Sequence, residues 1–248
     1  MRIENRELRI RESSLLLVAQ LSTGLILLLG LALLFHGCAE SLRQLQAFKK
    51  EVTAGNYQAI AAQEVTCEPK DAGCNQVHLI KGDACFRLAN SDVDPMPHYT
   101  CAARHLQLGI EQTQEWEQDT LNLGRTQTYE NLAETLRNLQ DLQRGAESNA
   151  TGARFLAVAE DFLRLEPEHI GAIYYATKAR FRALQPALLQ GTDTAQLCGR
   201  LKQLRAPIEQ LIANHAGTPA ELWSRYEQNY DLLRGELTTA QRLLPNCP

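Results

Sequence analysis

ARFLAVAEDFLRLEPEHIGAIYYATKARFRALQPALL, residues 153–189, decides the fold class. Phe155, Ala159 and Phe162 recur at spacings of four and three, which places them on one face of a helix. Pro167 interrupts that period, because a proline inside a helix removes a backbone donor and clashes with the preceding turn. Ile173, Ala176 and Arg180 then resume it on a second helix. Two helices joined by so short a turn form an antiparallel hairpin. From Val77 onward no stretch alternates with the strand period of two, so the reading is an all-α fold.

The same period extends to both sides of this hairpin. Upstream, VHLIKGDACFRLAN forms one helix, SDVDPMP a turn in which Pro95 and Pro97 end one element and start the next, and HYTCAARHLQLGIEQTQEWEQ a second helix. TQTYENLAETLRNLQDLQ aligns Tyr129, Leu132, Leu136 and Leu139, and RGAESNATG marks an internal boundary at 145–152. Downstream, Leu197, Leu201, Leu204, Ile208 and Leu211 form one stripe. Trp223, Tyr226, Tyr230, Leu233, Leu237, Ala240 and Leu244 form another, opened by Thr218 and Glu221 in capping-box spacing.

Small residues where helices meet and a proline at the repeat turn give the 153–189 hairpin a resemblance to the tetratricopeptide repeat family. The earlier hairpin resembles it too, with Gly82 and Ala84 on its first helix and Ala102, Leu106 and Gly109 on its second. Its turn is lengthened by SDVDPMP and the usual Trp is missing. The resemblance implies a helical-repeat domain over 64–248 that acts by binding other proteins.

The segment Leu15 to Phe35, LLLVAQLSTGLILLLGLALLF, carries no charge. About 20 such residues, rising about 1.5 Å each, match a bilayer core of about 30 Å. Residues 14–36 therefore read as a transmembrane helix, or alternatively as a long lipoprotein signal ending at Cys38, the lipid-anchor candidate. Arg2, Arg6, Arg9 and Arg11 precede the stretch and Arg43 alone follows closely. That asymmetry makes 1–13 cytoplasmic and the rest periplasmic in a bacterial inner membrane, with an outer-membrane lipoprotein as the alternative. Residues 37–63 read as a juxtamembrane amphipathic helix or stalk through Leu42, Leu45, Phe48 and Val52, interrupted near Gly55 and Asn56.

Six cysteines lie beyond the apolar stretch: Cys67, Cys74, Cys85, Cys101, Cys198 and Cys247. An even number in an oxidising compartment reads as up to three disulfides among 15 pairings. Cys67 and Cys74 suit a small closed loop, their spacing being too wide for a C-x2-C metal knuckle. Cys198 and Cys247 suit a staple between the last two helices.

His98, Cys101 and His105 fall at i, i+3 and i+7, a candidate metal set on one helical face; the competing reading oxidises Cys101 with Cys85. Tyr174, Tyr175, Trp223, Tyr226 and Tyr230 read as core or as the lining of a protein-binding groove. Lys178, Arg180 and Arg182 beside them favour an acidic partner segment. The net charge of -4 with scattered basic residues argues against nucleic acid. No nucleophile elbow, phosphate loop or dinucleotide fingerprint occurs, so neither an enzyme nor a cofactor is expected.

The function expected is a membrane-anchored scaffold or accessory subunit that assembles an envelope complex with other membrane proteins. The alternatives are a small-ligand or metal-binding lipoprotein and an integral structural subunit. Ser22, Gly24, Gly30 and Ala32 offer close helix contacts for a homo-oligomer through span or stalk.

Overall fold

A computed structural model describes residues 40–116, 123–191, 193–245 and 247, and among them every regular element is helical. Helix α1 covers residues 40–53 of the described chain. It is followed by α2 (Tyr57–Ala62), α3 (Cys74–Ala89), α4 (Met96–Gln112), α5 (Arg125–Leu142), α6 (Gly145–Leu165), α7 (Ile170–Gln190), α8 (Thr194–Ala213) and α9 (Ala220–Leu243), with a 3-10 turn at His215–Gly217. The apolar stretch Leu15–Phe35 and Cys38 lie outside the described residues, and no described helix is long and apolar enough to cross a membrane.

From α2 onward each helix packs on the next, and α3, α5, α7 and α9 also touch in succession. These odd-numbered helices form a row, and α4, α6 and α8 each bridge two neighbours within it. The stripes seen in the sequence face inward. Tyr129, Leu132, Leu136 and Leu139 of α5, Phe155, Ala159 and Phe162 of α6, and the Trp223 to Leu244 series of α9 all join one core.

Two glycines set the spacing of α3 against α4. A Cβ on Gly82 would lie 2.8 Å from the backbone nitrogen of Leu106, and one on Gly109 would lie 2.4 Å from Leu79 Cδ2. Only hydrogen at these positions permits the approach. The Cys85–Cys101 disulfide joins the same pair of helices, Cys198–Cys247 ties the start of α8 to the chain end, and Cys67–Cys74 closes the loop before α3.

Three expectations change. Residues 40–63 are not a free stalk: Phe48 is fully buried in a second cluster with Ile60, Val77, Ile80 and Ala84, and Ser41 Oγ donates to Ala72 O. Residues 145–152, read as an internal boundary, are helical, since α6 begins at Gly145, in the left-handed region at φ 58°, and runs through them. There Thr151 Oγ1 donates to Gln143 Oε1 at 2.6 Å and Gly152 abuts Gln140, so the polar cluster packs on the end of α5. Thr218 does not cap α9; Pro219 occupies the cap position without a side-chain bond.

Gly82→Ala is expected to lower the unfolding free energy by about 1–3 kcal/mol through overpacking. On the exposed side of α8, where a Cβ on Gly199 meets nothing, Gly199→Ala should raise it by up to about 1 kcal/mol. Denaturant titration of both variants beside the parent protein measures the opposite signs.

Candidate functional site

The middle of the odd-numbered row concentrates most of the residues singled out for binding. Tyr174 and Tyr175 of α7 and Trp223, Tyr226 and Tyr230 of α9 are buried, with Tyr230 fully so. Of the two readings of these five, core or groove lining, their burial fits the core. The physical reason is that α7 is covered by α5, α6, α8 and α9. Tyr174 and Tyr230 meet edge to face with centroids 5.8 Å apart, and Trp223 stacks on Tyr230 at 5.8 Å and on His215 at 4.6 Å.

Three of their polar tips are engaged with α5 or α7. Tyr226 donates to Glu130 Oε1 at 2.5 Å, Tyr175 to Glu134 Oε2 at 3.2 Å, and Tyr230 to the Ile170 carbonyl at 2.5 Å. Glu134 also pairs with Arg137. Burial raises the Tyr174 phenol to about 12. It pushes Tyr175, Tyr226 and Tyr230 upward as well, with Glu134 adding at Tyr175, Glu130 at Tyr226 and Tyr174 at Tyr230. These phenols remain protonated donors at neutral pH.

The basic residues are likewise occupied within the chain. Lys178 pairs with Glu236 at 2.5 Å, Arg180 with Glu160 at 2.6 Å, and Arg182 with Asp141 at 2.8 Å. An acidic partner segment would have to displace these carboxylates, so the acidic-ligand expectation loses its basis.

His98, Cys101 and His105 do not converge. Cys101 is bonded to Cys85, His98 Nε2 faces Asp92 Oδ2 at 3.0 Å, and His105 Nδ1 faces His78 Nδ1 at 2.8 Å. Helical spacing put them on one side of α4, but each engages a different partner. Burial first, with the charges of Lys81 and Arg104, depresses both facing imidazoles, His105 to about 3 with His78 contributing.

Sequence reasoning missed two features. One is the His78–His105 pair, whose members are 27 residues apart and stand on different helices. The other is a cavity of about 520 Å³ lined by Trp116, Arg125, Glu130, Glu166, His169 and Arg225, where the starts of α5 and α7 meet. Arg125 and Glu166 pair across it at 2.6 Å, and His169 Nε2 stands 3.8 Å from Glu130. Neither has a local spacing signal.

No family model, curated protein or solved structure matches the chain.

Tyr226→Phe leaves the buried Glu130 without its phenolic donor and is expected to cost about 1–3 kcal/mol of stability, read from denaturant unfolding. The raised phenols also fix an alkaline limit. The unfolded chain releases these protons near pH 10 while the folded chain retains them, so stability is intact below about pH 10 and falls as pH rises further. Unfolding midpoints measured on both sides of about pH 10 should decline only on the alkaline side of it.

Proposed function

We propose that the protein is a membrane-anchored, protein-binding scaffold or accessory subunit of a bacterial envelope complex, with its helical domain in the periplasm. The observation that carries the reading is the presence in one chain of the charge-free stretch Leu15–Phe35 and a stack of successive packed helices. An anchor confines the domain to the membrane surface and raises its effective concentration for membrane partners. Helices stacked in a row offer grooves suited to a partner's amphipathic helix. The glycine contacts of α3 with α4 and the succession of odd-numbered helices support the tetratricopeptide-like reading, and three disulfides suit an oxidising compartment.

With the tyrosines in the core, recognition in this reading belongs to the groove between α7 and α9. It has a volume of about 580 Å³ and is lined by Phe181, Gln185, Leu232, Gly235, Ala240 and Leu243. Leu232 and Leu243 are 59% and 78% exposed, an arrangement that suits apolar anchors on a partner helix. Its acidic rim, Asp231 and Glu236, is already neutralised by Arg234 and Lys178 of the same chain.

The full-length protein, affinity-purified from its native membranes in mild detergent, is expected to bring stoichiometric membrane proteins with it. Leu232→Asp with Leu243→Asp should release them while helical content by circular dichroism stays unchanged. A chain that purifies alone overturns the reading.

A further inference from the structure

The loop before α3 brings two sulfurs to one imidazole, and a second imidazole stands against the first. Ligand atoms of Cys67, Cys74 and His78 all lie within 4.8 Å of one another. His78 stands one turn beyond Cys74 on α3, and its Nδ1 is 2.8 Å from His105 Nδ1 on α4. Cys74, His78 and His105 are buried, and Cys67 is partly so. Two ring nitrogens this close share at most one proton, so at least one presents a lone pair.

In the oxidised chain the sulfurs are bonded to each other and are poor ligands. Reduction changes their chemistry. Cys74 is the first residue of α3, where the positive end of the helix favours a thiolate.

We propose that reduction of Cys67–Cys74 converts this corner into a two-sulfur, two-nitrogen site for Zn²⁺, formed by Cys67, Cys74, His78 and His105. A dithiol reductant passes two electrons and two protons to the disulfide and is itself oxidised to a disulfide, leaving two thiols. Zn²⁺ then replaces both thiol protons, which are released to solvent. Two thiolates with two imidazoles form a donor set of the structural zinc type. Zinc–nitrogen bonds of about 2.0–2.1 Å in a tetrahedron separate the nitrogens by about 3.3 Å, so the rings part by about half an ångström. Cys67 can follow because the loop from residue 63 to Gly73 contains no helix. The disulfide and the metal are thus alternative staples for the same loop, chosen by the redox state.

The test uses the full-length protein in detergent, reduced with a phosphine under anaerobic conditions and titrated with Co²⁺ and then Zn²⁺. The expected result is one Co²⁺ per chain with thiolate-to-metal charge-transfer and tetrahedral bands, displaced by Zn²⁺, and no binding before reduction. Cys67→Ser with Cys74→Ser should abolish these bands, and His78→Gln or His105→Gln should weaken Zn²⁺ binding at least tenfold. Unchanged binding in the double serine variant assigns the metal to the other five thiols and overturns the proposal, as does unchanged affinity in both glutamine variants or no binding at all. If reduction lowers helical content, Zn²⁺ must restore it in the parent chain and not in the double serine variant; restoration in both, or in neither, also overturns it.

Discussion

Two carboxylates on one helix organise the centre of the molecule. Glu130 and Glu134 stand on the side of α5 that faces α7 and α9, and burying a carboxylate without donors costs several kcal/mol. Tyr226 reaches Glu130 across 96 residues of sequence, and Tyr175 reaches Glu134 across 41. The phenols are the right donors because burial strengthens their hold on the proton. The position of α9 against α5 follows from that requirement, and the aromatic stack of Tyr174, Tyr230 and Trp223 fills the space around it.

The first part of the domain uses a different device. Between α3 and α4 the close approach is steric, with Gly82 and Gly109 letting Leu106 and Leu79 settle against the opposite backbone and Cys85–Cys101 locking the pair. The two regimes are joined by Asn131 of α5, which donates to buried Asp83 of α3 at 2.9 Å. Helix α1 then closes the open side of α3 with Phe48. The segment leading from the apolar N-terminal stretch is therefore continuous with the domain core, and an anchor at that end would hold the domain close to the membrane.

These arrangements leave little of the row's central polar surface free. Lys178, Arg180 and Arg182 have carboxylate partners of their own, so what remains for contact is apolar: Leu189, Leu232 and Leu243 near the end of α7 and along α9.

The sequence by itself determined the helical class and the stripes, while the pairing of the six cysteines came from the structure. Spacings of three and four within one segment report which side of a helix is apolar, and Tyr129 to Leu139 or Trp223 to Leu244 are buried as that pattern requires. In RGAESNATG the same local logic marks the break between α5 and α6, but not that the helix resumes at Gly145, where Ser148 donates to the Gln140 carbonyl and Thr151 to Gln143. It also grouped His98, Cys101 and His105, since spacing describes a face and not the partners across it. Only the tertiary structure decided that Tyr174 and Tyr226 are core, that Lys178 meets Glu236, that His105 faces His78, and that His78 stands beside the Cys67–Cys74 sulfurs. Those contacts join residues on different helices, and their geometry depends on which helices pack and how closely, which no single segment of the chain encodes.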